Sequence, residues 1–322
     1  MFKDAKVLVT GGAGFVGTNL IQRLAGLGAK VTATIHKKPA QIKDARVNFI
    51  TAELLNSTDC DRVCAGQDYV FMCAANTSGA AVMTKTPLVH LTPNVIMNVS
   101  MLDAAYKAGV KKFQFLSSNT VYPLTDTPVK ESDCTNEFYE KYHIVAWMKR
   151  FTEIVCEMYD QKIAKPMRVS VVRPGNIYGE YDDFEWETSH VIPALVRKVA
   201  ERMAPLEVWG DGKDLKDFIY IQDFVDGMLA AFEKIEGYDP INIAGGNSVT
   251  VRDVLGHLLK AGNYEDAEVK YNTDKPSMIP KRLISIDRAK ARLGWQPKVP
   301  VADGLARTLA WYKANPLPVD KK

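Results

Sequence analysis

Runs of β-branched and aromatic residues alternate with helix-spaced apolar residues along the first half of the chain. Lys6–Thr10 (KVLVT) is a short strand pattern. Phe15–Leu27 has apolar residues at helical spacing and stops at Gly28. Strand patterns recur at Lys30–Ile35, Val47–Thr51, Asp68–Cys73, Lys112–Ser117 and Met167–Arg173. Helical patterns lie at Asn94–Ala108, stopped by Gly109, and at Tyr139–Gln161. Strands separated by helices of this length predict a parallel sheet with helices on both faces. After Pro174 the strands shorten, and Trp, Pro, Gly and acidic residues cluster between Gly175 and Gly212. Helical patterns follow at His190–Met203, Gln222–Lys234, Val251–Ala261 and Val301–Ala314. The expected fold class is α/β: a doubly wound parallel sheet with a smaller mixed α/β C-terminal domain. Residues 1–174 plus about 217–245 are expected in the first domain, and about 175–216 plus 246–322 in the second.

Composition narrows the function classes. At 322 residues, one large or two interlocked domains fit. Apolar residues are 47% and charged residues 25%, so disorder is excluded as the main state. Lys+Arg total 41 against 38 Asp+Glu, a net charge of +3 that is too balanced for a nucleic-acid binder. No apolar run approaches the roughly 18 residues of a membrane span. The start, Met1-Phe2-Lys3-Asp4, runs into a strand without a signal-peptide pattern. The five cysteines are scattered, with no CxxC. Reduced thiols in the cytoplasm are expected, and no metal.

Thr10-Gly11-Gly12-Ala13-Gly14-Phe15-Val16-Gly17 falls between the first strand and the first helix. Glycines there permit a tight turn and let backbone approach a pyrophosphate. The helix start adds free N–H groups and the positive end of its dipole. This position favours a dinucleotide site over a plain glycine-rich turn, with Gly11, Gly14, Phe15, Val16 and Gly17 at the phosphates. An acid ending the second strand would accept from the ribose 2′-hydroxyl of NAD. The chain has Ile35-His36-Lys37-Lys38 instead, with no acid before Asp44. His36, Lys37 and Lys38 suit the 2′-phosphate of NADP, the expected cofactor, with NAD second; a solvated basic turn is the bland alternative. Glu53 and Leu54 after the third strand, and Ala74 and Ala75 after the fourth, fit the same pocket or plain packing.

Several motifs in order resemble the extended short-chain dehydrogenase/reductases, the nucleotide-sugar epimerase/dehydratase family. They are Thr10–Gly17, Asn94-Val95, Ser117-Ser118-Asn119-Thr120-Val121-Tyr122, Arg173-Pro174-Gly175-Asn176-Ile177-Tyr178-Gly179 and Leu293-Gly294-Trp295. Within that family the GDP-fucose synthase branch is the most similar. Tyr122-Pro123, Ser189-His190-Val191-Ile192-Pro193-Ala194-Leu195 and Pro280-Lys281-Arg282-Leu283-Ile284 carry that match. The resemblance implies a Rossmann-type sheet, an NAD(P) cofactor that Asn94 helps to hold, and a nucleotide-diphosphate sugar as substrate. It also implies a homodimer through a four-helix bundle of the Asn94–Ala108 and Tyr139–Gln161 helices. Met97, Met101, Trp147 and Met148 fit either that interface or the core.

The resemblance also implies catalysis by Ser, Tyr and Lys. Ser118 matches the serine, with Ser117 as the alternative. Lys149 matches the lysine, with Glu153 one turn later. The tyrosine position, four residues before Lys149, holds Val145, which cannot transfer a proton. Tyr142, two turns before Lys149, is either a substitute acid or a helix-face aromatic; Tyr139 and His143 are weaker candidates. His190 matches the family's acid/base for epimerisation next to a ketone, a task that suits a group titrating near neutrality. The cysteine that the family pairs with it is Thr120 here. Asn119 and Thr120 stand where the 4,6-dehydratases carry Asp-Glu, so dehydration is not expected. Asn119, Thr120, Asn176, Lys198, Trp209, Lys216 and Arg282 are the expected substrate contacts, the cations for the diphosphate and Trp209 for the base. The expected activity is that of an NADP-dependent epimerase/reductase on a 4-keto nucleotide sugar. The alternative is a cofactor-binding relative without hydride transfer, a sensor or assembly partner.

Overall fold

The computed structural model describes residues 1–76, 86–275 and 279–317. Seven strands build the larger sheet: β1 (Lys6–Thr10), β2 (Lys30–Ile35), β3 (Val47–Thr51), β4 (Tyr69–Met72), β5 (Lys112–Leu116), β6 (Arg168–Pro174) and β10 (Ile241–Ile243). Their order is β10-β6-β5-β4-β1-β2-β3, and every pairing is parallel. Successive side chains feed opposite cores. Val7 and Val9 join one apolar cluster and Leu8 the other; Phe71 joins the first, while Val70 and Met72 join the second. This burial on both faces explains why the strands read as continuous apolar runs. Helices α1 (Phe15–Gly26) and α6 (Ile221–Lys234) cover the first face. Helices α2 (Ser57–Cys64), α3 (Thr92–Lys107) and α4 (His143–Gln161) cover the second.

β1 lies between β2 and β4, so the chain leaves it in opposite directions. A crevice therefore opens outside the carboxyl ends of β1 and β4, the usual ligand position in such sheets.

The second lobe centres on β9 (Leu215–Tyr220), which pairs with β7 (Asn176–Tyr178), β11 (Ser248–Thr250) and β13 (Lys281–Arg282). A separate parallel pair joins β8 (Leu206–Trp209) to β12 (Val269–Asn272). Helices α5 (Val191–Ala200), α7 (Val251–Gly262) and α9 (Val301–Ala314) pack on one another. The short α8 (Asp287–Leu293) packs against α6 and β10. The first apolar cluster runs on into this lobe through Tyr178, Ile192, Leu195 and Val199, so the two lobes share a core.

One helix boundary changes the site. The pattern predicts a helix from Tyr139, but α4 starts at His143. Glu140–Tyr142 forms a separate 3-10 turn, closed by the Tyr142 N–H donating to the Tyr139 carbonyl at 2.8 Å. Tyr142 is thus not two turns up the face that carries Lys149. Among the described residues, no helix is long and apolar enough to cross a membrane.

Candidate active site

The turn after β1 is shaped for close backbone approach. Gly11 has a φ of +70°, and a Cβ there would lie 2.8 Å from the Ala74 Cα. A Cβ on Gly17 would lie 2.2 Å from the Gly11 carbonyl oxygen. Only glycine fits either place. Thr10 Oγ1 accepts from the Cys73 and Ala74 N–H groups at 3.1 and 3.0 Å, tying the two loops of the crevice together. Gly14 precedes α1 as its cap and offers no side chain, and the first turn of the helix carries no acid. Its free N–H groups and positive dipole end are therefore available to an anion. This cradle fits the pyrophosphate of a dinucleotide, which Gly11, Gly14, Phe15, Val16 and Gly17 would line.

At the end of β2, His36, Lys37 and Lys38 are exposed. His36 Nε2 lies 3.0 Å from Glu53 Oε2, and Lys38 Nζ lies 4.0 Å from Asp183 Oδ2. Glu53 thus reaches the basic turn, while Leu54 is buried in the core. Ala74 is half-buried and Ala75 exposed. Asn94 is buried. Its amide donates to the Asn76 and His90 carbonyls at 2.9 and 2.8 Å and accepts from the Asn76 N–H at 2.8 Å. The Asn94 side chain shapes the loop after β4.

The two serines after β5 point to different places. Ser117 is buried, and its hydroxyl donates to Glu153 Oε1 at 2.6 Å. Ser118 is half-buried. Its Oγ accepts from the Thr120 N–H at 3.1 Å and from Thr120 Oγ1 at 3.0 Å. With both acceptor positions filled, its own O–H is left to donate.

Lys149 is buried on α4. Its Nζ donates to the Leu116 carbonyl at 2.7 Å and stands 4.9 Å from the centre of the Phe115 ring. Burial pulls its pKa down to about 8, against the pull of the Glu153 carboxylate toward the charged form. Glu153, fully buried one turn on, takes Arg173 in a two-pronged pair at 2.8 and 2.7 Å. Arg173 also donates to the Tyr122 hydroxyl at 3.1 Å, and that hydroxyl donates to Asn242 Oδ1 at 2.6 Å. A buried ion pair thus locks the serine loop, the lysine helix and β6 together. Sequence reasoning passes over Arg173 as one letter of a motif. The available signal was a lone cation ending an apolar strand that a parallel sheet buries.

Val145 is half-buried, one turn before Lys149. Tyr142 is turned to the second lobe, where the Ile279 N–H donates to its hydroxyl; burial pushes its pKa up to about 12, while Arg282 works the other way. Among the described residues no hydrogen bond joins Tyr142 to Ser118 or Lys149.

His190 caps the start of α5, and its carbonyl accepts from the Ala194 N–H at 3.1 Å. Crowding by protein lowers its pKa; Asp183 opposes this and His90 adds to it. The residue is solvent-exposed, and the lowered pKa leaves its imidazole neutral at neutral pH. His90 is buried, and its Nδ1 lies 3.1 Å from the Asn76 carbonyl oxygen. Neither His90 nor Asp183 stands out in the sequence: His90 reaches His190 only through the fold, and Asp183, though near in the chain, belongs to no recognisable motif.

The expected substrate contacts fall into two groups. Lys216 and Arg282 are partners across β9 and β13, close to Tyr142. Lys216 Nζ lies 2.9 Å from the Ile279 carbonyl oxygen and 3.2 Å from Asp214 Oδ2. Arg282 is buried and donates to the Pro123 and Tyr122 carbonyls at 2.9 and 3.2 Å. Lys198 lies elsewhere, donating to the Glu207 carbonyl on β8 at 2.6 Å. Trp209, on the same strand, is exposed, with Lys275 Nζ 5.6 Å from its ring centre. Asn176 donates to the Asp217 carbonyl at 2.8 Å and Asn119 to the Pro174 carbonyl at 2.9 Å.

Known proteins resemble this chain along almost its whole length. GDP-L-fucose synthase 1 from Arabidopsis thaliana is 30% identical over 327 residues, covering 97% of this chain and 94% of that protein. Probable GDP-L-fucose synthase 1 from Oryza sativa subsp. japonica is 29% identical over 334 residues, covering 99% and 95%. The solved structure of UDP-glucose 4-epimerase from Thermotoga maritima with UDP-glucose has a TM-score of 0.85 at 25% identity, covering 96% of this chain and 99% of that one. The sequence profile described as the NAD dependent epimerase/dehydratase family matches residues 7–244, within which the glycine cradle, Ser118, Lys149 and His190 all fall. The chain therefore belongs to the NAD dependent epimerase/dehydratase family, as an NAD(P)-dependent enzyme of the extended short-chain dehydrogenase/reductase type.

Proposed function

We propose that this enzyme is an NADP-dependent epimerase/reductase acting on a 4-keto nucleotide-diphosphate sugar, with an atypical active site. One observation carries the reading. The Ser118 loop packs on the helix of Lys149, outside the carboxyl ends of the strands, which brings a free O–H donor and a buried amine to the same end of the sheet. When bound, a nicotinamide dinucleotide supplies or accepts the hydride. Ser118 donates its O–H to the ketone oxygen. His190, kept neutral, takes the proton from the carbon beside the ketone, and the Ser118 O–H and the Lys149 ammonium steady the charge on oxygen. The Thr120 hydroxyl does not ionise near neutral pH and gives its proton to Ser118, so His190 is the one carbon base we assign. Lys216 is the cation assigned to the diphosphate, and Trp209 the platform for the base. The 2′-phosphate of NADP falls to Lys37 and Lys38, and NADPH should bind more tightly than NADH; tighter NADH binding would reject this.

We assign a homodimer through α3 and α4, whose exposed apolar residues are Ile96, Trp147, Phe151 and Met158. Met97, Met101 and Met148 are buried within the chain. The free cysteines suit a cytoplasmic enzyme. Val145 favours the second reading, a cofactor binder without hydride chemistry. Incubation with NADPH and a panel of GDP-, dTDP-, UDP- and CDP-4-keto sugars in deuterated water separates the two by mass spectrometry. A reduced or carbon-deuterated product supports the enzyme, and His190→Asn should abolish carbon deuteration. NADPH binding with neither product supports the second reading.

A further inference from the structure

We propose that Lys149 is itself the acid that protonates the sugar oxygen during ketone reduction, with no tyrosine between them. This rests on the reductase reading above.

Four observations converge. Among the described residues, the Leu116 carbonyl is the only hydrogen-bond partner of the Lys149 amine. An ammonium has three donors, so two remain. Second, no carboxylate pins the proton on Nζ, because Glu153 is committed to Ser117, Arg173 and Arg150. Third, Val145 precedes Lys149 by one helical turn on the same face, so an isopropyl group stands where a phenol would relay the proton. Fourth, the Tyr142 hydroxyl is bound at the Ile279 backbone.

The groups facing the amine agree with this role. Cys73 approaches from the end of β4, and burial pushes its thiol up to about 12, so it is neutral beside the lysine. Phe115 and Leu116 approach from β5, and Glu153 from α4 itself. The result is an ammonium near pKa 8, a better proton donor than an ordinary lysine or tyrosine, yet still charged at neutral pH. As the carbonyl carbon accepts a hydride from the reduced nicotinamide, the C=O π pair moves to oxygen. That oxygen takes a proton from Nζ, the N–H pair returns to nitrogen, and the amine regains a proton from water.

The test combines a cofactor-free readout with kinetics. Carbon-13 NMR of the lysine Cε positions, in protein without cofactor, should show one resonance that is missing in Lys149→Arg and titrates near 8. Reduction of the responsive 4-keto sugar should fall about tenfold per pH unit above that midpoint. Lys149→Arg keeps the charge but cannot give up its proton. It should hold NADPH within about threefold and lose reduction by about 100-fold or more. Val145→Tyr should extend activity to higher pH. A Lys149 midpoint near the ordinary 10.4, a flat profile through that range, or reduction surviving in Lys149→Arg overturns the proposal alone. Absence of reduction with every sugar, with NADPH bound, overturns the reductase reading and this proposal with it.

Discussion

Replacing Glu153 with Gln tests whether one buried ion pair holds the serine loop, the lysine helix and β6 in register. Glu153 is fully buried, and its carboxylate accepts from Ser117 Oγ at 2.6 Å, Arg173 at 2.8 and 2.7 Å, and Arg150 at 3.2 Å. Arg173 is 2% exposed, so its charge has no water to turn to. Glutamine keeps the volume but removes the charge and turns an NH2 group toward donors. Breaking a buried pair from one side costs about 3–5 kcal/mol. A chain of 322 residues unfolds with an entropy of about 0.7 kcal/mol/K, from roughly 2.1 cal/mol/K per residue, so Tm should fall by about 4–7 °C. Arg173→Met alone should also be costly, since it strips the carboxylate of its bidentate partner. The double variant removes both charges and should cost less than the sum, with a coupling of about 2 kcal/mol or more. Thermal and urea unfolding followed by circular dichroism read these values. A loss below about 1 kcal/mol for Glu153→Gln, or strict additivity in the cycle, would refute the reasoning.

Other predictions follow from single observations. Gly17→Ala places a Cβ 2.2 Å from the Gly11 carbonyl oxygen and should abolish NADPH binding measured by fluorescence while the protein stays folded. Trp147→Glu with Phe151→Glu should convert a dimer to a monomer in sedimentation, because both side chains are exposed on α4. Lys149→Met should stabilise the fold at neutral pH by about 2 kcal/mol, after counting the lost Leu116 hydrogen bond, while ending catalysis. The sign follows from a pKa lowered to about 8 from 10.5. Between those values the unfolded chain holds more protons, so the stability of the natural protein climbs with pH across that window. The variant should show no such climb in pH-dependent urea melts.

Much of the architecture is legible in the chain because it depends on local rules. The parallel sheet follows from strand and helix periods, and the glycine turn from the glycine spacing itself, although the fold brings the Ala74 backbone against Gly11. The lysine helix is legible too, except for its first turn. There Tyr139–Tyr142 follows a local backbone bond and a tertiary contact to Ile279 in place of the helical period. Among the methionines and aromatics of α3 and α4, apolar character alone cannot separate core from surface. Met101 is fully buried and Trp147 is 40% exposed, a difference set by which face meets the sheet.

Adjacent serines show the limit most sharply. Ser117 and Ser118 are identical in chemistry and neighbours in sequence, so composition and motif leave both open. The chain's exit from β5 turns one inward to Glu153 and leaves the other with its proton free. The cations behave alike: Lys198, Lys216 and Arg282 read as equivalent phosphate ligands, but the fold commits each to particular carbonyls. Strand and helix periods, the glycine spacing after β1 and Val145 in place of a tyrosine four residues before Lys149 are all legible in the chain, because each is a matter of local spacing and residue type. Which polar groups are already bound and which are free to act is set by the folded chain, because the partners of Ser117, Lys216 and Arg282 lie 36 to 159 residues away.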